Sequence, residues 1–200
     1  MAARLEHVDV ESLATVTEAA AAARARSEPG SCAVVLVEGM SDQAAVQTLA
    51  ERSGRDLHAE GIFVIPMGGA TNIGHFADRF GPRGYGVRLA GLCDQGEEPV
   101  FRRGLDRIGP YFVCVTDLED ELIRALGAGR VEELIEAEGE SRPFQTFTRQ
   151  PAHRGEGRDQ QLRRFMGTRS GRKIRYGHVL AAALDLALVP GPLAGLLSAV

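Results

Sequence analysis

At 200 residues, with 44% hydrophobic and 25% charged side chains, the chain can bury one substantial core with room for a small second lobe, which excludes wholesale disorder and fibrous repeats. Cys32, Cys93 and Cys114 each fall inside an apolar run without CxxC or Cys/His spacing, which argues against zinc and a disulfide framework and for a reducing, cytoplasmic setting. The net charge of −4 is uneven: nine basic and two acidic residues between Arg149 and Tyr176 leave −11 on the remainder. An acidic metal site beside a polyanion-binding arm would produce this asymmetry, and so would an ordinary solvated surface.

The start of the chain carries Glu6, Asp9 and Glu11 and is unlike a signal peptide, and no apolar run reaches the roughly 18 residues of a membrane span. Residues Val10 to Arg26 are rich in helix formers and precede Pro29 and Gly30, so residues 1–30 read as a helical lead-in. Cys32 to Val37 is a continuous apolar, β-branched run suited to a strand covered on both faces. Ser41 to Arg52 suits a helix with Ser41 and Asp42 available as its cap. The unit then recurs: strands at Gly61 to Met67, Val87 to Cys93 and Tyr111 to Thr116, and helices at Asn72 to Phe80, Pro99 to Ile108 and from Leu118 to Leu126. Short apolar strands alternating with helices imply βαβ crossovers and a parallel sheet. Its ligand site then lies beyond the carboxyl ends of the strands.

Three of those four ends are acidic. The first runs into Glu38 and Asp42, the third into Asp94, Glu97 and Glu98, and the fourth into Asp117, Glu119, Asp120 and Glu121. Converging carboxylates repel one another unless a cation neutralises them, and hard oxygen donors without histidine or cysteine select Mg²⁺ or Mn²⁺. Asp42 serves as a helix cap or as a ligand about equally well, Glu97 and Glu98 suit the first turn of a helix, and some of the Asp117 to Glu121 acids must be capping residues. Gly68 and Gly69 offer amides to a phosphate, although a tight turn requires glycine just as well. Neither a Walker loop nor a dinucleotide fingerprint is present.

The segments VEGMSDQAAVQTLA, PMGGATNI, LCDQGEE and TDLEDELIRALG, in this order, resemble the Toprim domain of topoisomerases, primases and recombination-repair proteins, most closely its version in the OLD-family nucleases. The resemblance implies a Toprim-like Rossmannoid α/β fold: a central four-stranded parallel sheet flanked by helices over residues 31–127, and a basic, helical C-terminal extension over 128–200 that completes the site. Carried over by position, the family's acids fall on Glu38, Asp42, Asp94 and Asp117 or Glu119, and its lysine on Lys173. The second acid of the family's DxD motif corresponds to Gly96, with Glu97 as the nearest substitute. Lys173 is the only lysine among 23 Lys and Arg residues, as expected where a compact point charge is needed, or by drift.

What the resemblance implies is an OLD-type Toprim nuclease that hydrolyses a nucleic-acid phosphodiester, DNA in preference to RNA. Glu38, Asp94 and Lys173 would carry the chemistry, and Glu38, Asp42, Asp94, Glu97, Asp117 and Glu119 would hold one or two Mg²⁺ or Mn²⁺ ions. Arg163, Arg164, Arg172 and Arg175 would hold the backbone. OLD proteins usually carry an ATPase, which is not seen here, so the protein would act alone, as a homodimer or with a separate ATPase partner. Two alternatives stay open: a primase-like nucleotidyl transferase, and a non-catalytic nucleic-acid-binding or regulatory module. The apolar tail from Tyr176 onward suits packing on the sheet or a dimer contact.

Overall fold

The computed structural model describes residues 10–25 and 32–200. The beginning of the expected lead-in and its end at 26–30 therefore lie outside the described residues. Within them the order is α1 (Val10–Ala25), β1 (Ala33–Val37), α2 (Met40–Arg52), β2 (Ile62–Pro66), α3 (Ile73–Phe80), β3 (Arg88–Asp94), α4 (Glu98–Leu105), β4 (Tyr111–Cys114), α5 (Leu118–Leu126), α6 (Ala128–Ala137), α7 (Ser141–Thr148), α8 (Arg158–Met166), α9 (Ser170–Ala183) and α10 (Gly191–Ala199). Single 3₁₀ turns, Ala70–Asn72 and Gln95–Glu97, precede α3 and α4.

All four strands are parallel, in the order β2-β1-β3-β4. The chain leaves β1 for β2 on one side and returns to β3 on the other, so the topological switch point lies between the carboxyl ends of β1 and β3. Leu36 of β1 pairs with Gly91 of β3, and Asp94 at the tip of β3 pairs with Cys114 of β4.

Every residue of β1 is buried, and successive side chains feed opposite cores. Ala33, Val35 and Val37 join α2, α5 to α10 and Tyr176, whereas Val34 and Leu36 join α1, α3 and α4. This two-sided burial is the physical reason for a continuous apolar strand. The helices after β4 thus share one core with the sheet, with α10 packed on β3 and β4 and α9 laid along α2. The apolar tail is spent on that packing through Leu193 and Leu196. No helix among the described residues is long and apolar enough to cross a membrane.

Candidate active site

Glu38, immediately after β1, is half-buried, and its Oε1 accepts the backbone N–H of Asp94 at 3.3 Å, bridging the switch point. The following helix begins at Met40 rather than Ser41, with Gly39 at its cap. Asp42 therefore sits in the first turn, not at the cap, and reaches back to accept the Gly39 N–H at 2.8 Å. That bond fixes the loop between Glu38 and Asp42.

The fourth strand end is built differently. β4 stops at Cys114, and Thr116 has φ +75°, a left-handed conformation that is strained for a β-branched residue. Glu121, buried, holds the turn by accepting the Val115 N–H at 2.8 Å, and Asp117 caps α5 by accepting the Asp120 N–H at 2.9 Å. Glu119 comes next, almost fully buried. One carboxylate oxygen of Glu119 meets Lys173 Nζ of α9 at 3.3 Å, and the other is buried without a hydrogen-bond partner.

The structure brings Glu38, Asp42, Asp94, Asp117, Glu119 and Lys173 into one electrostatic unit. Asp94 is pushed up to about 8, first by burial and then by the charges of Glu38, Asp42, Asp117 and Glu119. Glu119 is pushed up to about 7, by burial against the opposing pull of Lys173. Glu38 and Asp42 are raised for the same leading reason. For Lys173 burial works to lower the pKa, but Glu119, Asp42 and Asp94 outweigh it and hold the ammonium charged. Glu97 lies near enough to add to the rise of Glu38. Gly96 is exposed, with open space where a side chain would stand.

Acidic oxygens, buried, mutually repelling and lacking any soft ligand, fit a hard divalent cation. Among the described residues no three of them converge on a point at ligating distance. Their hydrogen bonds explain why: Asp42 is turned to Gly39, Glu38 to Asp94, Asp117 to Asp120 and Arg163, and Glu119 to Lys173. No donor among the described residues holds the Asp94 carboxylate.

Two groups of expected contact residues are also engaged within the protein. Gly69 donates its N–H to the Glu38 carbonyl at 3.0 Å, so that amide ties the end of β2 to the end of β1 instead of facing a phosphate. Gly68 and Gly69 have φ of +71° and +124°, which accounts for the glycines by turn geometry alone. Of the four arginines, Arg172 is buried: it forks onto Glu140, donates to Thr168 and stacks 4.1 Å from the Phe165 ring. Arg164 pairs with Glu156, and Arg175 with Glu138 and Glu140. Arg163 does reach the site, where it binds Asp117. Five arginines of the basic arm, Arg158, Arg163, Arg164, Arg172 and Arg175, are thus paired with acids, three of which lie on α6 and in the turn after it, while Arg149, Arg154 and Arg169 are exposed.

Residues 31–95 match the family model "Overcoming lysogenization defect protein-like, TOPRIM domain", a span that takes in β1 to β3 and ends just past Asp94. The solved C-terminal region of the Burkholderia pseudomallei OLD protein is similar at 18% identity and a TM-score of 0.63, over 84% of this chain and 96% of that one. That of the Xanthomonas campestris pv. campestris OLD protein is similar at 25% identity and a TM-score of 0.62, over 83% of this chain and 92% of that one. No curated protein sequence matches.

Proposed function

We propose that the chain works as an OLD-like Toprim domain, with a metal-dependent function connected with nucleic acid, and that it hydrolyses phosphodiester bonds in DNA. The observation that carries the reading is the meeting of carboxylates from three strand ends around the β1/β3 switch point, with the chain's one lysine among them.

Toprim domains bind divalent metals, and here Glu38, Asp42, Asp94 and Asp117 or Glu119 would hold Mg²⁺ or Mn²⁺. Such an ion, when bound, lowers the pKa of water and polarises a phosphoryl oxygen. Glu38 and Asp94 lie on either side of the switch point, where they would hold such an ion between the two strand ends. Asp42 keeps the Gly39 loop in place through its bond to that amide. Lys173, held charged among the acids, offsets negative charge developing at phosphorus. Asp117 is anchored by the α5 cap and by Arg163, which pins the acid to its strand end.

The decisive assay is nicking of supercoiled plasmid in Mn²⁺ or Mg²⁺ without added nucleotide. Wild type is expected to nick, with Glu38→Gln and Lys173→Ala each reduced by roughly 100-fold or more. Equal activity in all three would mean a contaminant, and a requirement for nucleoside triphosphate would favour a transferase.

A further inference from the structure

Lys173 reaches the acids from α9, a helix outside the stretch of sequence that forms the sheet, so something must fix the height of that helix over the site. Gly177 lies one turn after Lys173 and on the same face, four residues on. It is buried against the first turn of α2: a Cβ there would stand 2.5 Å from the Ser41 carbonyl oxygen, 3.2 Å from its carbonyl carbon and 3.3 Å from its Cα. All three are backbone atoms of the residue immediately before Asp42, in the helical turn that follows Glu38 and Gly39. The contact cannot be relieved by turning a side chain.

We propose that Gly177 is a positioning residue for Lys173: its missing side chain lets α9 lie directly on the α2 N-terminus, and this closeness places the Lys173 ammonium within reach of Glu119 and the acidic site. The inference rests on the functional reading above for its catalytic consequence, and on geometry alone for the placement. Two further contacts register the same helix. Thr48 of α2 bonds the His178 ring at 2.8 Å, and Arg52 donates to the Ala181 carbonyl at 3.0 Å, so α9 is fastened to α2 along its C-terminal half. At its N-terminal half Arg172 ties it to Glu140 and Phe165. These anchors set the backbone of α9 from which the Lys173 side chain extends to Glu119. Ordinary contact with Ser41 begins at 3.4 Å, so a methyl at position 177 drives α9 back by about 0.9 Å. A displacement near 1 Å at a reacting centre can lower turnover by roughly 100-fold.

The test is a double-mutant cycle between Gly177→Ala and Lys173→Ala. In plasmid nicking, Gly177→Ala is expected to lower kcat by roughly 100-fold with KM within about twofold, and the double variant to be no slower than Lys173→Ala, because the lysine is already lost from its place. Losses that multiply, or wild-type kcat in Gly177→Ala, overturn the proposal. A second readout needs no substrate. If Gly177→Ala pulls Lys173 off Glu119, then Lys173→Ala shifts the metal-free unfolding temperature in wild type but hardly at all in the Gly177→Ala background. The same shift in both overturns the placement. A protein that nicks nothing while showing this coupling would refute the nuclease reading and leave the positioning intact. Should Gly177→Ala not fold, Thr48→Val removes the neighbouring α2–α9 bond to His178 without a clash and tests the same seating of α9 on α2, with non-additivity against Lys173→Ala expected and simple additivity as the refutation.

Discussion

The strand-end acids and the acids of the α6 to α9 layer meet opposite fates within one small chain. Around α6 to α9, Glu132 pairs with Arg158 at 2.6 Å, Glu156 with Arg164 at 3.0 Å, and Glu140 with both Arg172 and Arg175 at 2.9 and 2.7 Å. Glu132 is held below the ordinary carboxylate range chiefly by the Arg158 hydrogen bond, and for Glu140 burial pulls upward but the two arginines prevail and lower it. Around the β1/β3 switch point, burial and mutual repulsion raise Glu38, Asp42, Asp94 and Glu119, with Lys173 set against them all. The chain has 22 arginines and one lysine, so cations are not scarce. The acids of the helical layer are neutralised from within, as Asp117 is by Arg163, whereas Glu38, Asp42, Asp94 and Glu119 share the single cation Lys173. An acidic surplus that the fold could have cancelled is what a site for an outside cation requires.

The largest test of this contrast is Arg172→Ala. It strips the inner cation from Glu140 and the Phe165 stacking partner together, and the expected cost is about 3 kcal/mol in chemical denaturation. A cost under about 1 kcal/mol would mean that the layer is only a surface ion-pair lattice of the weak kind.

The second test uses pH, because the two regions titrate with opposite sign. Glu132 and Glu140, with lowered pKa values, lend stability that is present above the unfolded carboxylate range and lost as pH falls through it. Asp94, raised to about 8, and Glu119, raised to about 7, do the reverse: their contribution is intact below the unfolded pKa near 4 and is lost as pH climbs to 8, since the unfolded chain releases protons that the native site keeps. The metal-free protein is therefore expected to have a lower unfolding temperature at pH 8 than at pH 5. Mn²⁺ or Mg²⁺ should restore more stability at pH 8, because binding displaces those protons. Asp94→Asn should flatten the metal-free profile and stabilise it at pH 8 by on the order of 1 kcal/mol. A profile unchanged by Asp94→Asn would remove Asp94 from the site.

How much of this was legible in the sequence follows from the range of the interactions. The strands, the parallel sheet and the acids at their tips are local patterns: a buried apolar run of five residues, then Glu38 or Asp94. Lys173 was legible through the resemblance and through its isolation among arginines. The arginine pairings were not, since Asp117 and Arg163, or Glu140 and Arg172, are 46 and 32 residues apart and meet only when the helices stack. The sequence leaves the Gly69 amide open to a phosphate or to a turn, because nothing local shows that it meets the Glu38 carbonyl. Thr116, with its left-handed backbone, and Gly177, whose open space is filled by another helix, leave no signature in a single sequence.

The smallest expected effect sharpens the contrast at one atom. Gly96 stands where the resemblance expects a second acid, in an exposed turn just after Asp94, and nothing lies within 4 Å of a Cβ built there. Gly96→Asp can thus be accommodated without repacking, and it adds a carboxylate to a region already in excess. Metal-free stability at pH 8 should fall by a few tenths of a kcal/mol through like-charge repulsion, while Mn²⁺ affinity by calorimetry should rise by roughly tenfold as the ligand charge increases. Glu97 offers the matching subtraction, because its charge already bears on Glu38. If Glu97 stands in for the missing acid, Glu97→Gln weakens Mn²⁺ binding in wild type but much less in Gly96→Asp. An equal loss in both backgrounds would show that Glu97 only lines the start of α4, and that the site works with the acids of Glu38, Asp42, Asp94 and the α5 turn alone.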